Sequence, residues 1–127
     1  MLYSDKVSKI LVILKNSLIK KKNHSVFFFS VYNLKILQFL KQNHFLHSVH
    51  LANDTIIVEH RYLRGVSSIE CLKRISKGSR RSYKKVRDLK ALIPGVGYYA
   101  LSTSKGIFNH YDAIKNKIGG EILFYVI

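Results

Sequence analysis

The sequence predicts a mixed α+β fold with two lobes. An N-terminal α-β-α-β-β lobe is expected over residues 1–64, and a mostly β C-terminal lobe with a short helix over 65–127. The 127 residues are 47% hydrophobic, which suits one compact domain or two small lobes. Apolar residues recur at helical spacing early in the chain, whereas later apolar runs are short and bounded by turn residues. This change of pattern along the chain is typical of an α+β fold.

Spacing and capping signals predict the first three elements. Residues 4–21 carry an apolar stripe at helical spacing, with lysines around the rest of the helix surface. The run Val26–Phe29 is typical of a buried strand. Asn33 is a suitable N-cap for a second helix, which we expect to end near Asn43.

Two further segments predict a pair of strands that closes the N-terminal lobe. Phe45–Leu51 and Thr55–Tyr62 flank the turn residues Ala52-Asn53-Asp54, as the two arms of a hairpin do. Gly65 follows as a break in the pattern, and we expect the boundary between the lobes to lie there.

Strands dominate the prediction for the C-terminal lobe. In Ser67–Ser76 the residues Ile69, Cys71 and Ile75 share one face, which predicts a strand with a small buried cysteine. Asn109 is the expected N-cap of the only later helix. The later elements are a turn, a strand, a polar loop, this short helix and a final strand, at residues 94–97, 98–101, 102–106, 109–115 and 121–126.

The charge balance predicts a polyanionic partner. Lys and Arg number 22 against seven Asp and Glu, a formal net charge of +15. Such an excess repels itself in a compact fold, so nucleic acid, an anionic membrane or an acidic protein are the candidate partners. One cysteine excludes an internal disulfide framework, and no apolar run reaches the ~18–20 residues that span a bilayer.

Positive charge is densest in residues 73–90. Asp88 is the one acid there, and Tyr83 places an aromatic ring within the charge. Cations neutralise phosphates and a ring can stack on a base, so nucleic-acid contact is favoured over a merely solvated surface. The cations are Lys73, Arg74, Lys77, Arg80, Arg81, Lys84, Lys85, Arg87 and Lys90.

The segment Ser102–Gly106 combines three hydroxyls, a cation and a glycine. Hydroxyls and exposed backbone N–H groups can donate to phosphate, ribose or base edges, and Gly106 permits close approach of the backbone. An ordinary polar turn is the alternative interpretation. A Ser–Lys nucleophilic pair is disfavoured because no third group is placed to orient it.

Catalytic, metal and cofactor sites are not predicted. The seven acids are scattered singly, without a pair suited to general acid–base work, and no glycine fingerprint for a nucleotide is present. On a strand, His47 would face away from His44 and His50, so the three could not converge on a metal ion. We therefore expect no enzyme activity, no cofactor and no small-molecule substrate.

Two motifs near the end of the chain carry a family likeness. Residues 99–107 read Tyr-Ala-Leu-Ser-Thr-Ser-Lys-Gly-Ile, and residues 118–126 read Ile-Gly-Gly-Glu-Ile-Leu-Phe-Tyr-Val. Residues 72–77 and 81–84 add a basic strand and a Tyr-Lys element. Together these motifs closely resemble the small ribosomal subunit protein eight family, strongly after residue 70 and weakly before it.

The resemblance implies a structural protein that binds the central domain of small-subunit ribosomal RNA and supports assembly of the subunit. Neighbouring small-subunit proteins such as protein five are implied as partners, and a membrane is not. The loop 102–106 would meet an irregular RNA helix with an unpaired base, and Glu121 would brace the loop by accepting hydrogen bonds. The implied RNA-binding residues are Ser102, Thr103, Ser104, Lys105, Gly106, Gly120, Glu121, Lys77, Arg80, Arg81, Tyr83, Lys84, Lys35 and Asn16.

Composition predicts the compartment. The chain has 16 Lys and 14 Ile but 6 Arg and 4 Ala, which suggests an AT-rich coding genome. The family-like helix begins almost at Met1, so we expect no presequence, although an amphipathic basic start also fits one. These features favour a protein made in an organelle. Divergence from the pattern of the family that the chain resembles favours a mitochondrion before a plastid, with an AT-rich bacterium as a further alternative.

Two other functions stay open on the sequence alone. A free-standing basic nucleic-acid-binding or regulatory protein would have the same charge. A membrane-surface protein could use the first amphipathic helix. Comigration with ribosomal particles separates the first from a ribosomal protein, and preference for liposomes over RNA would favour the second.

Overall fold

The computed structural model describes residues 3–75, 83–91 and 97–127, without the side chains of residues 3–5, 90 and 91. The chain divides into two compact units, one of Lys6–Glu70 and one that contains Cys71–Ile127. Helices and antiparallel sheets are both present, so the predicted α+β class is confirmed.

The first unit contains two helices and a three-stranded antiparallel sheet in the order β1-β3-β2. Strand β3 is central and pairs with β1 along all five residues of that strand. The elements are α1 (Tyr3–Ile19), β1 (His24–Phe28), α2 (Val31–Gln42), β2 (Leu46–Ala52), β3 (Thr55–His60), β4 (Tyr62–Leu63) and β5 (Val66–Ser67).

Apolar stripes on the helices and one face of the sheet form the core of this unit. Helix α1 buries every third or fourth residue, as the sequence predicts. In β1 the burial alternates, and Phe28 on the open face is 84% exposed. The buried apolar residues are Val7, Ile10, Leu11, Leu14, Phe27, Ile36, Leu37, Phe39, Leu40, Phe45, Leu46, Ile56, Val58 and Ile69.

The N-cap of α2 is Ser30, so the prediction of Asn33 is wrong. The backbone N–H of Asn33 donates to Ser30 Oγ at 3.0 Å, and the Asn33 side chain donates to Phe28 O at 3.0 Å. Both residues are of capping types, and the one that precedes the first turn serves as the cap. The predicted end near Asn43 is confirmed, since Asn43 is the C-cap.

Gly65 lies in the tight hairpin that joins β4 and β5. It has a φ of +78° and follows Arg64 at +54°, the left-handed pair that a two-residue hairpin turn favours. The division between the units falls between Glu70 and Cys71, six residues after the expected boundary. The glycine therefore marks a turn within the first unit.

A five-stranded antiparallel sheet organises the second unit. Strand β10 lies between β8 on one side and both β6 and β7 on the other, and β8 also pairs with β9. A bulge at Leu123 interrupts the pairing with β8, and four consecutive residues from Glu121 are buried. The elements are β6 (Leu72–Arg74), β7 (Tyr83–Lys84), α3 (Val86–Ala91), β8 (Tyr98–Thr103), β9 (Gly106–Asn109), α4 (His110–Lys115) and β10 (Gly120–Val126).

Several predictions for this unit need correction. The strand expected from Ser67 begins only at Leu72, and the predicted buried face is displaced by one residue, so that Leu72 is buried and Cys71 is exposed. Helix α3 was not expected, since its residues belong to the basic run. The predicted cap of α4 is confirmed: Asn109 Oδ1 accepts from Asp112 N at 2.7 Å.

A buried polar network links α1, β1 and β3. The Ser25 hydroxyl donates to Ser17 Oγ at 2.6 Å and lies 2.5 Å from His60 Nε2. Because Ser25 gives its hydrogen to Ser17, the network is complete when Nε2 donates to Ser25. His60 Nδ1 is then an unprotonated buried nitrogen, for which the described residues provide no partner.

Protonation of His60 should destabilise the fold. Burial lowers the pKa of His60 from its ordinary 6.5, and the nearby His24 lowers it further. The unfolded chain therefore takes up the proton first as pH falls, so stability is full above about pH 6.5 and declines below it. The unfolding temperature should fall between pH 7.5 and 5.5, and it should fall less in His60→Gln. Equal declines in the two proteins would exclude His60 as the cause.

Candidate nucleic-acid interface

The predicted polar loop is the tip of the β8–β9 hairpin. Strand β8 continues through Thr103, which pairs with Gly106, so only Ser104 and Lys105 form the turn. The Thr103 hydroxyl donates to Gly106 O at 2.7 Å and accepts from Lys105 N at 3.2 Å. Thr103 thus holds the turn together, while Ser104 and Lys105 are exposed.

The backbone conformation at residue 106 requires a glycine. Its φ is +125°, which residues with a side chain rarely adopt, and a Cβ there would have no atom within 4 Å. The space beside the glycine is therefore open. Close approach of a ligand to this backbone stays a prediction.

The start of β10 depends on two glycines. A Cβ on Gly119 would lie 2.5 Å from Lys84 O, and a Cβ on Gly120 would lie 2.5 Å from Ser102 O. Both contacts are with backbone, which cannot move away cheaply. The glycine pair therefore allows β7 and β8 to approach β10 at the same point.

Glu121 lies at the centre of this meeting point. It is 3% exposed and pairs in register with Ser102 on β8 and with Tyr83 on β7. Directly opposed residues in antiparallel strands share a face of the sheet. The carboxylate therefore stands in the same row as a hydroxyl and a phenol, and its role as a brace for the loop stays a prediction.

An open cleft of about 640 Å³ joins the predicted elements. It brings the Tyr-Lys element of β7 together with the hydroxyls of β8 and the glycine pair. Helix α3 adds Val86 and Asp88, which the sequence did not indicate as site residues, whereas Lys85 precedes the helix and belongs to the predicted basic run. The lining residues are Tyr83, Lys84, Lys85, Val86, Asp88, Ser102, Thr103, Ser104, Gly119 and Gly120.

The chemistry of this cleft suits a ribose-phosphate chain with an unstacked base. Two lysines face one acid, Asp88, so the lining is net positive. Tyr83 is 65% exposed, and an exposed aromatic ring is the type of group on which RNA bases stack. Ser104 and Ser102 provide hydroxyls that can donate to phosphate or to a 2′-hydroxyl.

Two of the other predicted contacts are described and are not part of the lining of this cleft. Asn16 is exposed on α1 and Lys35 is exposed on α2, both in the first unit. Lys77, Arg80 and Arg81 lie outside the described residues.

The described residues contain neither a cluster of metal-ligand side chains nor a membrane-spanning helix. Within residues 3–75, 83–91 and 97–127, no three His, Cys, Asp or Glu side chains are grouped so that they could hold a metal ion. No helix in the described part of the chain is long and apolar enough to cross a bilayer.

Comparison with known proteins gives one consistent family. The family model for ribosomal protein S8 matches residues 5–127. The chain is 35% identical to small ribosomal subunit protein uS8c of Euglena gracilis over 135 residues, which cover 96% of each protein. It is 32% identical to protein uS8 of Mycoplasma mobile, over 97% of this chain and 96% of that protein. Protein uS8c of Bigelowiella natans is 30% identical over 97% of this chain and 98% of its own length.

The close contact at Gly120 predicts a loss of stability in Gly120→Ala. The added Cβ would meet Ser102 O at 2.5 Å, and such overpacking costs about 1–3 kcal/mol of unfolding free energy. Ser104→Ala, an exposed change on the same hairpin, is the control and should stay within about 0.5 kcal/mol of the parent. Urea unfolding measures both, and equal stability of the two variants would contradict the contact.

Proposed function

The chain belongs to the ribosomal protein S8 family, and from this premise we propose that it is a structural constituent of the small ribosomal subunit. It binds the RNA of that subunit and contacts other ribosomal proteins. Its role is to hold RNA in place and not to catalyse a reaction.

The observation that carries the proposal is the convergence of β7, β8 and β10 on one cleft. Tyr83, Lys84 and Ser104 are far apart in the sequence but line the same open surface. A cation, an aromatic ring and hydroxyls are the groups that proteins use on irregular or single-stranded RNA. Tyr83 and Lys84 lie on a strand of the sheet and Ser104 lies in the tight turn that follows β8, so their spacing is fixed before RNA arrives, which lowers the entropic cost of binding.

We propose a division of labour among these side chains. Lys84 and Lys105 contact phosphates, and the ring of Tyr83 stacks on an unpaired base. Ser104 donates from the tip of the turn, whose shape depends on the Thr103 hydroxyl. Glu121 braces the hairpin from the neighbouring strand.

The RNA we propose is an irregular helix of the central domain of the small-subunit RNA. An A-form duplex has a deep, narrow major groove that side chains cannot read, so specificity has to come from shape and from unstacked bases. Lys77, Arg80, Arg81, Asn16 and Lys35 would extend the contact along the phosphate backbone. Assembly support follows from holding this helix, and protein five is a proposed neighbour.

We propose a mitochondrial ribosome as the location. The support is the excess of Lys and Ile over Arg and Ala, the skew of an AT-rich coding genome. The relatives include chloroplast-type and bacterial proteins, so the organelle needs its own test. The chain should cofractionate with small subunits from purified mitochondria, and recovery with plastid or bacterial subunits instead would overturn the assignment.

The test of RNA recognition is a double-mutant cycle with Ser104→Ala and Glu121→Gln. Each change should weaken binding to the irregular helix by about 1–3 kcal/mol, the range for a hydrogen bond to a charged group or a buried partner left without one. The two losses should be less than additive because both affect one hairpin. Neither removes a positive charge, so the salt dependence should not change. Filter binding at fixed salt measures the cycle.

A plain RNA duplex and the variant Glu70→Gln are the controls. Glu70 is an exposed acid in the first unit, so its change alters the net charge without touching the cleft. Equal losses of affinity for the duplex and for the irregular helix would show that the hairpin makes only a nonspecific contact. Additive losses of binding free energy would show that Glu121 acts independently of the loop.

A further inference from the structure

The first unit carries its own excess of positive charge. Residues 6–70 contain ten Lys and Arg and three Asp and Glu. The cleft formed by Tyr83, Lys84 and the β8–β9 hairpin lies in the other unit and does not explain this excess. The first unit should therefore have a polyanion contact of its own.

A second cleft of about 620 Å³ opens where α2 ends and β2 begins, and we call it the α2–β2 cleft. Buried Leu46 belongs to its lining, and the other lining residues are polar or cationic. No acid is among them. The exposed members are Gln38, Lys41, Gln42, His44, His47 and Arg61.

Local geometry brings these groups together. Gln38, Lys41 and Gln42 are three and four residues apart in α2, so they share one face of the helix. His44 adopts a φ of +67°, which turns the chain sharply between α2 and β2. Arg61 comes from beyond β3 and is held by a hydrogen bond from Nη1 to His44 O at 3.0 Å.

We propose that the α2–β2 cleft is a second binding site for RNA backbone. Lys41 and Arg61 contact phosphates, and the imidazoles of His44 and His47 add N–H donors. The two glutamine amides both donate and accept, so they can pair with a ribose 2′-hydroxyl, which has the same dual capacity. This mixture suits RNA better than it suits a simple anion. The inference rests on the proposed ribosomal function.

The end of a helix is a competing explanation for these cations. The C-terminal end of a helix carries partial negative charge and attracts Lys and Arg. However, a carbonyl group at this end already has its hydrogen-bond donors: the backbone and side-chain N–H groups of Asn43 both donate to Phe39 O. Arg61 uses one of its five N–H donors on His44 O and is still exposed. Lys41 and His47 are not accounted for by these bonds.

The test compares two double variants. Lys41→Ala with His47→Ala removes a lysine and a histidine from the cleft. Lys9→Ala with His50→Ala removes the same residue types from exposed positions of the same unit that do not line it. The probes are whole small-subunit ribosomal RNA, the short irregular helix cut from it, and poly-glutamate. Filter binding over a salt series and thermal unfolding are measured for each protein.

On whole RNA, the cleft variant should bind about fivefold more weakly than the control, with a salt slope smaller by about one unit. Both variants should bind the short helix equally, and Lys41→Arg should keep the parent affinity. Equal affinity of the two variants for whole RNA would overturn the inference. So would a lowered unfolding temperature without any loss of RNA affinity, because the cations would then serve only the helix end.

The remaining outcomes separate this inference from the proposed function. Suppose that the parent binds whole RNA, that the cleft variant binds it more weakly, and that the parent does not bind the short helix. The inference then stands and the proposed recognition of that helix fails. If the cleft variant bound poly-glutamate more weakly than the control but bound RNA equally well, the ligand of the cleft would be an acidic protein, and the inference would be overturned. Failure of the parent protein to bind either RNA would overturn both.

Discussion

Strand β10 is the constraint on which the second unit depends. It pairs with β8 on one edge and with β6 and β7 on the other, so among the described strands β6 and β7 join the β8–β9 hairpin in one sheet only through β10. Gly119 and Gly120 let β7 and β8 come close at its first residues, where a Cβ would meet backbone oxygens. The cleft that gathers the Tyr-Lys element and the hydroxyls exists because those two strands flank the same end of β10.

The predictions that the structure confirms concern elements with a strong signal in their own local sequence. The stripe in α1 and the Asn53 turn between β2 and β3 are fixed by neighbours in sequence, and Asn53 has the positive φ, +55°, that its residue type tolerates. Other signals are ambiguous locally. Two residues of capping types, Ser30 and Asn33, lie three positions apart at the start of α2, and only tertiary context selects Ser30. Helix α3 lies within a run of charges, and among its described side chains, those of residues 86–89, the one fully buried is Leu89, which gives no periodic pattern.

The candidate site was predictable in its residues but not in its geometry. The hydroxyls near Ser104 and the Tyr83-Lys84 pair stand out by type and by charge. The sequence does not reveal that the loop is a two-residue hairpin tip or that Thr103 is used internally. Pairings such as Glu121 with Ser102 join positions 19 residues apart through a shared strand, which no local pattern encodes. The α2–β2 cleft was missed because its lining residues come from three separate segments, namely α2, the start of β2 with the turn before it, and the residue after β3.

The central position of β10 in its sheet also determines the order in which strands can pair during translation. During translation β6 and β7 emerge well before residues 120–126, yet within the described residues β10 is the strand with which both pair. The β8–β9 hairpin can form by itself, but β6 and β7 leave their edge groups without a strand partner until β10 has been made. The first unit contains every strand of its own sheet by residue 60 and can fold earlier. The nascent chain therefore presents one completed unit while the other half still exposes strand edges that a chaperone could bind.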